Sequence, residues 1–106
     1  MRYGRPKYRN VKTTVDGITF DSKRESVRYC ELKLLAKARK ITNLRLQVPY
    51  VMRVNGEKIC KYVADFVYCE DGNEIVEDVK GMRTREYILK RKLMKAVYGI
   101  EIRETK

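Results

Sequence analysis

The chain has 106 residues, room for one small domain with a single core of a few strands and two helices. Lys and Arg number 25 against 14 Asp and Glu, and the formal charge of +11 favours a polyanionic partner. Histidine is absent, which removes HNH-type nucleases, Ser-His and Cys-His hydrolases and His-ligated zinc sites and leaves carboxylate and lysine chemistry.

Residues 1–14 are polar and basic, with Arg2, Arg5, Lys7, Arg9 and Lys12, no acid, and Tyr3 and Tyr8 interleaved. They are expected to form a flexible basic arm ahead of one domain over 15–106. No apolar run follows these charges, so a signal peptide is not expected. Asp16-Gly17 marks a tight turn within a short hairpin over Val15–Phe20. A helix is then expected from Ser22 to about Lys40, with Val27, Cys30, Leu34, Leu35, Ala38 and Ile41 facing inward. Ser22 and Glu25 have capping-box spacing, so the local pattern reads Glu25 as a cap.

From Leu44 to Val54 the even positions are all apolar, which is a strand pattern, and Pro49 within it indicates an edge position or a bulge. Asn55-Gly56 turns the chain into a second strand over 57–69, and Asp71-Gly72 turns it again. With Asp71-Gly72 as the loop, facing positions sum to 143, so Val67 faces Val76, Asp65 faces Asp78 and Val63 faces Lys80. Opposed Cβ atoms lie about 4.5–5.5 Å apart, where like charges are destabilising. A divalent cation offsets that repulsion, since Mg²⁺ is commonly held by one or two carboxylates. Lys80 lies roughly 6.6 Å further along the same face, within reach of a phosphate oxygen. The same side chains also suit a solvated strand face with Lys80 as a salt-bridge partner. Against that stand Val63, Val67 and Val76 on the carboxylate face, which indicate a buried site.

Beyond Gly81 a second helix is expected from Thr84, its N-cap, to Tyr98, with Ile88, Leu89, Leu93, Ala96 and Val97 inward and Gly99 as C-cap. Ile100–Ile102 then suits a last short strand. Residues 80–95 carry Lys80, Arg83, Arg85, Lys90, Arg91, Lys92 and Lys95 against only Glu86. Two such basic segments are the footprint of a protein that tracks a phosphate backbone. A membrane surface is disfavoured, because no long apolar segment or basic helix with Trp or Phe is present. Cys30, Cys60 and Cys69 are odd in number and unpaired in spacing, and read as buried small hydrophobes in a reducing cytoplasm.

Asp65, Asp78-Val79-Lys80 and Glu25 in this order resemble the PD-(D/E)xK nuclease superfamily. Ala64 stands where that family often has proline. Phe20-Asp-Ser-Lys-Arg-Glu25, Leu46-Gln47-Val-Pro49, Tyr62-Val-Ala-Asp65-Phe and Asp78-Val-Lys80-Gly81-x-x-Thr84 look like small phage-encoded, Holliday-junction-resolvase-like endonucleases. The resemblance covers roughly residues 15–104. It implies an α/β (α+β), restriction-endonuclease-like core of helix, three-stranded antiparallel meander, helix and short strand. It also implies a Mg²⁺-dependent endonuclease, with Mn²⁺ as a substitute, acting on branched DNA as a homodimer in phage recombination.

On that basis Glu25, Asp65, Asp78 and Lys80 are the expected catalytic residues, and Asp65, Asp78, the Val79 carbonyl and Glu25 the expected metal ligands. Arg83, Thr84, Arg85, Lys90, Arg91, Lys92, Lys95 and Gln47 are the expected DNA contacts. Two other readings fit the same sequence: a non-catalytic nucleic-acid-binding module, and a nuclease subunit that depends on a partner protein.

Overall fold

Three Asx-Gly pairs punctuate the strands. Asp16-Gly17, Asn55-Gly56 and Asp71-Gly72 all have positive φ at both residues, the conformation that a two-residue hairpin turn requires and that Asn, Asp and Gly adopt most readily. A computed structural model describes residues 11–80 and 82–106. The elements are β1 (Thr13–Val15), β2 (Ile18–Phe20), α1 (Lys23–Lys37), β3 (Thr42–Val54), β4 (Glu57–Glu70), β5 (Asn73–Val79), α2 (Arg85–Tyr98) and β6 (Arg103–Thr105). The fold is mixed α and β, with two helices, a two-stranded sheet β1-β2 and a four-stranded sheet ordered β3-β4-β5-β6. β3, β4 and β5 are antiparallel neighbours, and β6 joins β5 in parallel. Pro49 lies in β3, an edge strand of the sheet, where a residue without a backbone N–H is tolerated.

Most of the basic arm, Arg2 to Arg9 with Tyr3 and Tyr8, lies outside the described residues, as does Gly81. Thr13 and Thr14, assigned to the arm, already belong to β1. The last strand is not Ile100–Ile102 but Arg103–Thr105. The two isoleucines instead pack against the cluster of α2.

The helices cover opposite faces of the sheet. Phe20, Tyr29, Leu32, Ile41, Phe66, Tyr68 and Val79 form the cluster under α1. Met52, Tyr62, Ala64, Val67, Val76, Tyr87 and Met94 form the one under α2. Leu32 and Met94 are fully enclosed, and truncating either to alanine costs about 2–5 kcal/mol.

The inward stripe of α1 is Ser26, Tyr29 and Leu32 rather than Val27, Cys30 and Leu34, which are exposed. Ser26 is hidden without penalty because its hydroxyl donates to Lys23 O at 2.6 Å. Tyr29 stacks on Phe20, with ring centroids 5.1 Å apart, and its hydroxyl donates to Asp16 in the β1-β2 turn. An amphipathic tyrosine and a self-satisfied serine have displaced the more apolar side chains. In α2 the buried residues are Tyr87 and Met94, while Leu89, Ala96 and Val97 are exposed. None of the cysteines is buried: Cys30 is exposed, and Cys60 and Cys69 are half-buried.

Strands β3 and β4 both turn over in mid-course. Along β3, Leu44 and Leu46 belong to the α1 side but Val48, Tyr50 and Met52 to the α2 side. Along β4, Tyr62 and Ala64 face α2 but Phe66 and Tyr68 face α1. Strict alternation would keep all these even positions on one face. The reversal falls between the pairs Leu46↔Phe66 and Val48↔Ala64, at Gln47 and Asp65. Gln47 has φ 53°, a left-handed backbone in mid-strand that swings the chain around its own axis.

Candidate functional site

The reversal carries Tyr62 onto the same face as Asp78. β4 and β5 pair as expected, from Glu70↔Asn73 to Phe66↔Glu77, but the ladder stops one pair short of Asp65 and Asp78. In its place the Val79 N–H donates to Asp65 Oδ2 at 2.8 Å. Tyr62 donates its buried hydroxyl to Asp78 Oδ2 at 2.9 Å, and Lys80 Nζ lies 3.5 Å from the same oxygen. These bonds engage Oδ2 of each aspartate, and the two carboxylates also lie within hydrogen-bonding reach of each other.

Asp78 is buried, with 2% of its surface exposed, and Asp65 is half-buried. Burial first, and then the adjoining Asp78 carboxylate, push the Asp65 carboxyl far above the usual carboxylate range, against the pull of the Val79 N–H. Glu25, in the first turn of α1, is raised by burial, then by Asp21 and Asp78, with Lys80 acting in the opposite sense. The three carboxyls therefore feel one another across three elements, α1, β4 and β5. Among the described residues no group of three ligands forms a ready-made metal cage. The donor set nonetheless suits a hard divalent cation: oxygen-only, partly desolvated, and carrying mutual repulsion that a positive charge relieves.

Each of these side chains has a local reason for its place. Asp65 sits at the turnover of β4, and Asp78 lies within the buried run Val76–Val79 that closes β5. The Lys80 N–H donates to Thr105 O at 2.8 Å, so the parallel strand fixes its backbone. Lys80 Nζ also lies 4.4 Å from the Tyr87 ring centroid, which holds the ammonium over an aromatic face. Ser22 N-caps α1 by accepting from the Glu25 N–H at 3.1 Å, and the Glu25 carboxyl reaches back to the Ser22 side chain in the manner of a capping box while feeling the charges of Asp21, Asp78 and Lys80. Val63 does not join the buried face; it is 38% exposed on the opposite side of β4.

The basic residues expected to meet DNA are less free than their number suggests. Arg83 and Arg91 both donate to Glu104 of β6, joined there by the Tyr87 hydroxyl at 2.6 Å. Lys95 pairs with Glu101 at 2.8 Å and Lys90 with Glu86 at 3.8 Å. Arg85 and Lys92 are exposed. Thr84 N-caps α2, its hydroxyl accepting from the Tyr87 N–H at 3.1 Å. Gln47 is exposed opposite Asp65, on the edge strand.

Two features had no clear signal in the sequence. Tyr62 lies on the even face of β4 and Asp78 on the even face of β5, and the expected register set those faces apart. Glu77 is fully buried and accepts from Arg28 at 2.7 and 3.0 Å, Tyr68 at 2.6 Å and Thr105 at 2.9 Å. It ties α1 and β6 to the strand that carries Asp78.

The chain belongs to the family described as "Protein of unknown function (DUF1064)", whose sequence profile matches residues 5–105. No curated protein and no solved structure matches it.

Proposed function

We propose that this chain is a divalent-metal-dependent endodeoxyribonuclease with a restriction-endonuclease-like core, acting on branched DNA in the cytoplasm as a homodimer. The observation that carries the reading is the pairing of half-buried Asp65 with buried Asp78, mutually repulsive in the protein alone and flanked by Glu25 and Lys80. The element order of helix, antiparallel meander, helix and parallel strand supports the restriction-endonuclease-like core.

Bound Mg²⁺ or Mn²⁺ would lower the pKa of its water and polarise a phosphoryl oxygen. Asp65 and Asp78 would hold it, with the Val79 carbonyl as a further oxygen ligand. Tyr62 and the Val79 N–H keep the two carboxylates oriented from behind through Oδ2. Glu25 would orient the attacking water or add a ligand. The Lys80 ammonium, fixed by its backbone bond and by Tyr87, would stabilise charge on the pentacoordinate phosphate. The N-terminus of α2 follows directly, and its N–H groups favour a phosphate.

No observation on the described residues favours a pure binding module over this reading, since binding alone has no use for a strained carboxylate pair. The test is incubation of the purified protein with linear, single-stranded, flapped and four-way-junction DNA in Mg²⁺, Mn²⁺ or EDTA. Cutting in metal alone supports the nuclease. Binding without cutting in any metal returns the account to a binding module or a partner-dependent subunit.

A further inference from the structure

The meander is not a sheet along its whole length. β5 ends at Val79, so residues 50–62 of the β3-β4 hairpin extend past it as a two-stranded ribbon. One face of this ribbon is covered by α2: Tyr98 donates to Val51 O at 2.6 Å and its ring meets Tyr50 at 5.5 Å. The opposite face follows from the turnover at Gln47 and Asp65. It carries Pro49, Ile59, Lys61 and Val63, with Ile59 52% and Val63 38% exposed. Arg53 and Lys58 pair with each other across the ribbon near its tip. Arg53, Lys58 and Lys61 are exposed and form no ion pair among the described residues, in contrast to Arg83, Arg91 and Lys95. Glu57 follows the turn, at the start of β4.

We infer that the uncovered face of the β3-β4 ribbon is a duplex-DNA-binding surface; this rests on the nuclease reading. Three arguments carry it. A two-stranded ribbon has the width that the major groove admits. Exposed cations free of ion pairs complement a phosphate backbone, whereas Arg83 and Arg91 are held by Glu104 and Lys95 by Glu101. The ribbon also grows directly out of the strand that carries Asp65. Lys58 is seven residues from Asp65 in β4, about 23 Å along the strand or roughly seven base-pair steps from the scissile phosphate. Ile59 between the cations and Val63 beyond them would lie against sugars and thymine methyl groups.

The experiment compares wild type with R53Q/K58Q/K61Q and with K37Q/R39Q/K40Q. The second variant removes the same charge from the end of α1, next to the far end of β3. Affinity for a labelled duplex is measured by anisotropy in EDTA over a range of salt, and size by sedimentation. All six side chains are exposed, so both variants should melt as wild type does. The ribbon variant is expected to lose about tenfold or more in affinity, and its plot of log K against log salt to flatten by about 2–3, with the control close to wild type. Equal losses in the two variants reduce the effect to net charge and overturn the ribbon assignment. So does a change in molecular size confined to the ribbon variant, which would make the face a contact with a second copy. Wild type that binds no DNA overturns this and the nuclease reading together; binding by wild type with no difference between the variants overturns this alone.

Discussion

Tyr62 and Asp78, 16 residues apart, meet through a buried hydrogen bond of 2.9 Å. A hydroxyl donated to one oxygen of a carboxylate fixes its orientation, so in the proposed site Tyr62 would hold Asp78 in place for a cation. Tyr62→Phe leaves the ring packing intact and removes the donor. It should cost about 1–3 kcal/mol of stability by leaving a buried acceptor short of a partner, and weaken Mn²⁺ binding about tenfold, as titration calorimetry would measure. Unchanged metal affinity would reduce Tyr62 to a packing residue.

Asp65 destabilises the metal-free fold. Its carboxyl is raised in the folded chain, so the native state holds a proton that the unfolded state has released, and stability falls as pH rises above about 4. Asp65→Asn should flatten that decline in urea titrations in EDTA and raise stability near neutrality. The proposed site also predicts that Mg²⁺ stabilises wild type, by about 2.7 kcal/mol at a hundredfold excess over Kd, and that Asp65→Asn abolishes this. A variant that melts like wild type with and without metal contradicts this.

Glu77 works in the opposite sense. Burial pushes its carboxyl up, but the hydrogen bonds from Arg28, Tyr68 and Thr105 more than reverse this and hold it below the usual value. Its contribution is therefore fully present above about pH 4.3 and is lost as pH falls through its lowered folded value. Arg28→Ala leaves a buried carboxylate without its ion pair and should cost about 3–5 kcal/mol near neutrality, with the difference from wild type shrinking in acid. A constant difference across the acid limb would show that the ion pair is not the cause.

Glu104 gathers Arg83, Tyr87 and Arg91 against β6. Glu104→Gln should loosen α2 and release two cations at once. The melting temperature is expected to fall while DNA binding tightens at low salt, its salt dependence steepening by up to about 1.8. A melting temperature that falls without any change in salt dependence would show that these arginines do not face DNA.

Much of the strand order was legible because turn chemistry is local. Each Asx-Gly pair specifies a hairpin by its own φ preference, and Pro49 announces an edge. Capping by Ser22 and Thr84 and the stop at Gly99 were readable for the same reason. The meeting of Asp65 and Asp78 was anticipated from hairpin arithmetic, although the ladder ends before them and the Val79 N–H takes up the slack. Long-range choices were not readable. Nothing in the pattern of α1 reveals that Tyr29 and Ser26 go inward while Leu34 stays out. The left-handed backbone at Gln47 is invisible to a period-two reading, and it decides which residues face the site. Arg83 and Arg91 looked like free cations because the glutamate that holds them arrives from a strand about 13–21 residues later in the chain.

The most direct measurement is cleavage and binding by wild type and Asp78→Asn side by side, on four-way-junction and linear DNA in Mg²⁺. The account predicts metal-dependent cutting by wild type alone, with Asp78→Asn binding DNA as well as or better than wild type, because a negative charge has left the neighbourhood of the phosphate. Lys80→Ala, run beside them, should lose about 10²–10³-fold in kcat with little change in affinity. Equal cutting by Asp78→Asn, or cutting by wild type that EDTA leaves untouched, would contradict the claim that Asp65 and Asp78 form a metal-dependent phosphodiesterase centre.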